Sequence, residues 1–291
     1  MSTIHSDIRI LGAGDETTLA AFFESAPDHS LMQRSNLARA GAGWNGQRYG
    51  AVFAAVFEDG RVTGVIGHYW NGFLLPLVRD IARDFRPLLA RLLEASPLPV
   101  NGVVGGWDQV SATMMHPAIN GRTVRRCDRE ILYALPLGAL LVPAPLRHGE
   151  ILVRPIAAAD VPMLAAWRME FLVDAFKLAR STATFDEAAN DLTAALAEGR
   201  GWVAEADGRP LAYSGFNAAL PDVVQVGGVY TPPFARARGL ARSAVAGSLI
   251  KARDEGASRA VLFTDVANVA AQRAYAALGF GAIGDWGIAR F

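Results

Sequence analysis

The chain lacks most of the devices that disulfide-bonded, metal-dependent or membrane-spanning proteins rely on. Cys127 is its only cysteine, so neither an intrachain disulfide framework nor a cysteine metal site can exist. All five histidines (His5, His29, His68, His116 and His148) precede residue 150, which leaves the second half without an imidazole base. Lys+Arg and Asp+Glu both number 28, and a formal net charge of zero argues against a nucleic-acid or anionic-membrane surface. Ile131 to Leu146 is uncharged, but Pro136, Pro143 and Pro145 interrupt it, and it falls short of the ~20 apolar residues that span a bilayer. The start, MSTIHSDIRI, has no basic segment followed by an apolar core and does not read as a secretory signal. These absences lead us to expect a cytoplasmic protein without a metal.

What is present is ordinary globular material. Apolar residues make up 52% and charged residues 19% of 291 positions, enough for large cores. At about 150 residues per domain, the length suggests two domains. The pattern predicts a short strand at Ile8–Leu11, helices after Asp15 and Ser30, and a hairpin turning at Glu58-Asp59-Gly60. A helix over Arg79–Glu94, a strand at 100–104, a helix over 108–115 and a strand over 123–135 follow. The proline-bearing segment 138–149 reads as a linker between a domain at 1–137 and another at 150–291. The second domain repeats much the same order: strand, two helices, hairpin at Asp207-Gly208, strand, helix, strand, helix and a final strand over Phe280–Arg290. Such alternation predicts a mixed α/β sheet flanked by helices, with the first half a diverged copy of the second.

The segment Val229 to Val245, VYTPPFARARGLARSAV, organises the second domain. Apolar residues up to Val229 are strand-like, and Pro232-Pro233 end any ladder because both lack an amide N–H. From Leu240 the apolar residues Leu240, Ala241, Ala244, Val245 and Leu249 fall at helical spacing, and Gly256 supplies a stop. Arg236, Ala237, Arg238, Gly239 and Arg242 therefore surround a helix start. Unpaired N–H groups and the positive end of the helix dipole favour a phosphate there, and Gly239 lets the anion approach the backbone. A glycine and arginines between a strand and a helix are also a common surface feature. The segment is neither the nucleotide P-loop nor the dinucleotide fingerprint.

Arg236-Ala237-Arg238-Gly239-Leu240-Ala241 resembles the [Q/R]-x-x-G-x-[G/A] signature of the GNAT superfamily of N-acetyltransferases. Leu262 to Phe280 resembles the family's next motif: strand, asparagine, helix with a tyrosine, then Gly-Phe. The resemblance covers about residues 151–291 and implies a GNAT-like acyl-CoA N-acyltransferase fold, in two tandem copies of which the first is degenerate. The first half lacks the signature, and Gly105-Gly106 has no arginine beside it until Arg122.

The resemblance further implies a site. The loop Arg236–Arg242 would hold the pyrophosphate of acetyl-CoA or another acyl-CoA, with Asn268 beside it. The strand end Val229, Tyr230 and Thr231 would contact the pantetheine arm and the thioester carbonyl. Tyr275 would protonate the departing thiolate. Asn268 is in any case placed to cap a helix, and Tyr275 lies two turns further on, while Ala270, Ala274 and Leu278 are expected to face the core. The strand VVQVGGV carries no glutamate where many family members place a base, so Glu170, Asp174, Glu205 and Asp222 remain the candidates. Trp167 to Lys177 and the inter-domain cleft would line the side of the acceptor, a small-molecule or peptide amine. The expected function is acyl transfer to a primary amine by direct attack. A non-catalytic acyl-CoA-binding regulatory module is the alternative, and a homodimer is compatible with either.

Overall fold

The computed structural model describes residues 6–176 and 178–291. Contacts divide the chain into one compact unit of Met1–Ile131 with Gly284–Phe291 and another of Leu132–Ile283.

In the first unit, strand β1 (Ser6–Leu11) is followed by helices α1 (Glu16–Glu24) and α2 (Leu31–Ala40). Asp15 stands at the start of α1 but caps no helical amide, and its carboxylate accepts from Gly12 N–H at 2.9 Å instead. Strands β2 (Ala51–Glu58) and β3 (Arg61–Tyr69) form the expected hairpin. Asp59 and Gly60 at φ 48° and 76° supply the left-handed pair that a tight two-residue hairpin requires. Strand β4 (Phe73–Val78) is absent from the sequence reading, because Pro76 in FLLPLV argues against a strand. The proline is tolerated because β5 (Gly102–Gly106) pairs with β4 only at Phe73 and Leu74. The predicted helix from Arg79 has two parts, a π-helical turn at Ile81–Phe85 and helix α3 (Arg86–Ala95). Pro87 explains the change, since it lacks the amide that a continuous α-helix would need. Helix α4 (Trp107–Met115) and strand β6 (Arg126–Pro136) follow, and β6 crosses the boundary at Ile131.

The second unit repeats that order with β7 (Leu152–Pro155), α6 (Val161–Phe176), α7 (Thr182–Ala197), β8 (Gly201–Ala206), β9 (Arg209–Ala219), β10 (Val223–Tyr230), α8 (Leu240–Asp254), β11 (Arg259–Asp265) and α9 (Val269–Ala276), and β12 (Gly281–Arg290) follows, most of it belonging to the first unit. The segment read as a linker holds a 3-10 turn and a short helix α5 (Ala144–Arg147). It is tied down by Leu137 N–H to Ser258 C=O (2.8 Å) and Leu141 N–H to Leu278 C=O (3.0 Å).

Both units have the same ladder. In the first, β1, β2, β3 and β4 are antiparallel neighbours and β4 meets β5 in parallel. In the second, β7, β8, β9 and β10 are antiparallel neighbours and β10 meets β11 in parallel. The last strand of the chain joins the first unit, where Trp286–Arg290 pair antiparallel with Gly106–Gly102 of β5. The core of the first unit packs α3 and α4 on one face (Leu88, Leu89, Leu92, Val110) and α1 and α2 on the other (Leu19, Phe22, Phe23, Leu37). In the second unit, α6 and α7 pack over Val203 and Tyr213, and α8 covers Ala204 and Ala212.

His68 on β3 is fully buried, with Nε2 3.3 Å from the Pro99 carbonyl, and desolvation lowers its pKa despite that contact. The unfolded chain therefore takes up a proton near pH 6.5 before the folded protein does. Stability should hold above about pH 6.5 and fall as the pH drops below it. In denaturant titrations across this pH, His68→Gln should remove much of the slope.

Candidate functional site at the end of β10

The parallel ladder between β10 and β11 is short. It runs Val223↔Arg259, Val224↔Ala260 and Gln225↔Val261, and then stops, although β10 continues to Tyr230 and β11 to Asp265. On its other edge β10 stays with β9, through register shifts after Gln225 and after Gly227, up to Tyr230↔Tyr213. Gly228, at φ 66°, makes the second irregularity possible. Beyond Gln225, β10 thus presents backbone groups toward β11 with no strand partner there, an edge that an extended ligand carrying amides can join.

This open edge leads directly to a helix start. Thr231 and Pro232 precede a 3-10 turn (Pro233–Ala235), and Ala237 and Gly239 then adopt left-handed φ of 61° and 77°. The turn is secured by Arg236, whose Nε donates to the Thr231 carbonyl at 3.0 Å. Gly239 is the N-cap of α8 and provides no side-chain cap; the first bond of the helix is Ser243 N–H to Gly239 C=O. The amides of Leu240, Ala241 and Arg242 therefore open the helix, and Arg236, Arg238 and Arg242 lie exposed around them. Among the described residues neither Arg238 nor Arg242 makes an ion pair. A tetrahedral oxyanion suits such a place on both charge and hydrogen-bonding grounds.

Asn268 caps α9 as expected, its side chain accepting from Ala271 N–H at 3.1 Å. Tyr275 is half-buried with its ring edge-on to Phe280 at 6.0 Å between centroids, and its carbonyl takes the amides of Leu278 and Phe280. Ala270 does not face the core. It is exposed, Ala274 is half-buried and Leu278 is buried, because α9 is eight residues long and packs only toward its C-terminal end. The helix lies against α8.

The four candidate carboxylates separate cleanly. Glu205 is held by Arg154 Nε at 2.8 Å, and the same guanidinium makes a bidentate pair with Asp160 (2.7 and 3.0 Å) that holds the Asp160 carboxyl below its ordinary value. Asp222 precedes β10, eight residues from Tyr230 and roughly 26 Å away along an extended strand. Glu170 and Asp174, on α6, act at the open end. Burial raises the pKa of the Tyr230 phenol, Arg236 opposes that rise, and the charges of Glu170 and Asp174 reinforce it. Glu170 is paired with Arg180, whose Nη2 lies 2.6 Å from its Oε2. Trp167 meets the Tyr230 ring at 6.2 Å, and Arg168 lies over Phe171 while pairing with Asp191 at 3.1 Å. The sequence reading missed Arg180 and the side chain of Tyr230. Helical spacing of Trp167, Glu170 and Asp174 was the available signal, but nothing in it showed which strand they face. Lys177, the end of the expected acceptor segment, and His5 lie outside the described residues.

At the matching place in the first unit the same opening is filled by the protein's own groups. The turn after β4 is capped by Asp80, whose Oδ1 accepts from Arg83 N–H at 3.1 Å. Gln109 Oε1 accepts from Val78 N–H at 2.9 Å, where β4 has left β5. The counterpart of the signature loop is thus Arg79-Asp80, whereas Gly105-Gly106 ends β5.

Residues 163–280 match the acetyltransferase (GNAT) family. The match lies within the second unit, Leu132–Ile283. No curated protein matches the chain. Among solved structures, a GCN5-related N-acetyltransferase from Sphaerobacter thermophilus is 15% identical, with 98% of this chain and 95% of that chain covered at a TM-score of 0.60. A tandem GNAT protein from the clavulanic acid biosynthesis pathway is 14% identical over 98% of both chains at 0.57. An acetyltransferase of the GNAT family from Colwellia psychrerythraea is 13% identical over 98% of both chains at 0.52. At such identities the likeness establishes the fold, and the tandem arrangement extends it over nearly the whole chain. Among the described residues no helix is long and apolar enough to cross a membrane, and no cluster of ligating side chains could hold a metal ion.

Ala237 and Gly239 share a left-handed conformation but differ in their tolerance of it. Gly239→Ala should destabilise the protein by about 1 kcal/mol, whereas Ala237→Gly should be neutral or slightly stabilising. Urea midpoints of the two variants measured side by side would check the opposite signs.

Proposed function

We propose that the second unit transfers an acetyl or other acyl group from an acyl-CoA to a primary amine. The observation that carries this reading is the continuity of the unpaired β10 edge with the uncapped start of α8. A strand edge that accepts amides and a helix start that accepts a diphosphate occur in the order in which a pantetheine arm joins its pyrophosphate. The GNAT-family match supports the assignment to acyl transfer.

In this reading the amides of Leu240, Ala241 and Arg242, together with Arg236 and Arg238, neutralise the diphosphate, and Val229–Thr231 align the arm along β10. Bound there, the thioester would supply an activated carbonyl to the amine. Backbone N–H groups at the strand end stabilise charge developing on the carbonyl oxygen. Tyr275, half-buried on α9, donates a proton to the departing sulfur, and Asn268 holds the start of that helix. The amine approaches from the α6 side, past Trp167 and Tyr230, where Glu170 and Asp174 favour a cationic group.

Thermal shifts with acetyl-CoA, longer acyl-CoAs and free CoA should show a rise that Gly239→Glu abolishes, since the new carboxylate would occupy the anion site. No rise with any of them would overturn the reading. With an amine acceptor found by screening, Tyr275→Phe should lower kcat by roughly 100-fold with little change in the KM for the acyl donor.

A further inference from the structure

We propose that the first unit is a receptor for a small oxyanion, a carboxylate or phosphate on a compact body, bound in a cavity at the end of β4. The cavity has a volume of about 810 Å³, and residues of α1, the β2–β3 turn and Arg79 line it. That size is typical of small-molecule sites.

Two arginines, Arg61 and Arg79, and two carboxylates, Glu58 and Asp59, line it, and among the described residues no ion pair joins them. Arg79 Nη2 donates to Ser25 Oγ at 2.9 Å, and its guanidinium stands 5.7 Å from the Phe22 ring. The Ser25 hydroxyl is itself fixed, donating to the Phe22 carbonyl at 2.7 Å. The arginine is thereby oriented by a neutral hydroxyl, which leaves its charge uncompensated. Among the described residues neither Arg79 nor Arg61 makes an ion pair. Of the two lining carboxylates, Glu58 is taken by Arg83, and Asp59 sits at the tip of the turn. A guanidinium presents several N–H donors in a planar fork that matches a carboxylate or phosphate.

Phe22, Ala21 and Val62 supply apolar wall for a small body. Coenzyme A does not suit this position, because Asp80 caps the adjoining helix start and Gln109 occupies the strand opening. In the repeat, the cavity lies at the end of the fourth antiparallel strand, β4, whose counterpart in the second unit is β10.

The test uses the full chain in a Gly239→Glu background, so that the α8 start does not itself bind the probe. Sodium malonate and inorganic phosphate are compared with sodium chloride at matched ionic strength. We expect a melting-temperature rise of about 2–3 °C with malonate or phosphate and none with chloride. Malonate alone active identifies a carboxylate ligand, and phosphate alone active identifies a phosphate one. Arg79→Gln should abolish the rise. Should that variant not fold, Ser25→Ala, which releases the arginine, should weaken apparent affinity at least several-fold. Hydrogen exchange on the otherwise unaltered chain should show protection at 18–25 and 58–63. An equal response to chloride, a rise that survives both substitutions, or protection confined to other peptides would overturn the proposal without bearing on acyl-CoA binding.

Discussion

Three residue pairs hold β10 to β11, and the fact that there are only three shapes the second unit. Were the parallel ladder to continue past Gln225↔Val261, the backbone groups of Val226–Tyr230 would be consumed within the sheet. Instead, two register shifts on the β9 side turn the strand while keeping it attached, so the edge facing β11 stays open without the strand coming loose. The prolines at 232 and 233 then prevent the chain from pairing again, and α8 begins with free amides. One interruption of hydrogen bonding thus creates two adjoining sets of unmet backbone groups. Free backbone groups are costly when buried and cheap when solvated, which is why they occur at an exposed loop.

The first unit shows what the same frame looks like when it closes on itself. Its ladder between β4 and β5 is shorter still, yet Gln109 reaches Val78 and Asp80 caps the turn ahead of α3. Side chains here do what a ligand would do in the second unit. A carboxylate at a helix start is favourable for the same electrostatic reason that a phosphate is, so the substitution is a physical equivalent. The two units thus share a strand order and differ in whether the chain's own side chains meet the backbone groups at this opening.

Much of this was legible in the sequence because it is written in local chemistry. The two hairpins at Asp59-Gly60 and Asp207-Gly208, the stop at Gly256 and the cap at Asn268 each follow from one residue's backbone or side-chain preference. Long periodic helices were equally plain. What escaped depends on partners distant in sequence. Strand β4 was hidden by Pro76, whose cost vanishes only because β5 leaves after Leu74, a fact about a segment some thirty residues away. The exposure of Ala270 follows from the shortness of α9, which no periodicity reveals. The destination of the final strand was also out of reach, since Trp286–Arg290 would pair equally well in pattern with any antiparallel neighbour.

The base remains the sharpest chemical constraint on an acyltransferase reading, and the structure narrows it by position. Glu205 is committed to Arg154 and Asp222 lies at the far end of its strand, so neither can reach an amine near Tyr230. Glu170 and Asp174 act electrostatically at the right place, but Glu170 already faces Arg180. A carboxylate so paired attracts an ammonium group more readily than it strips one of its proton, since stripping would leave the guanidinium unopposed. On this reading α6 selects the acceptor, and the proton leaves through water. Such a division of labour requires the amine, drawn in as the ammonium ion, to lose its proton to water before it attacks. It also accounts for an active strand that carries Val224, Gln225 and Val226 and no acidic side chain.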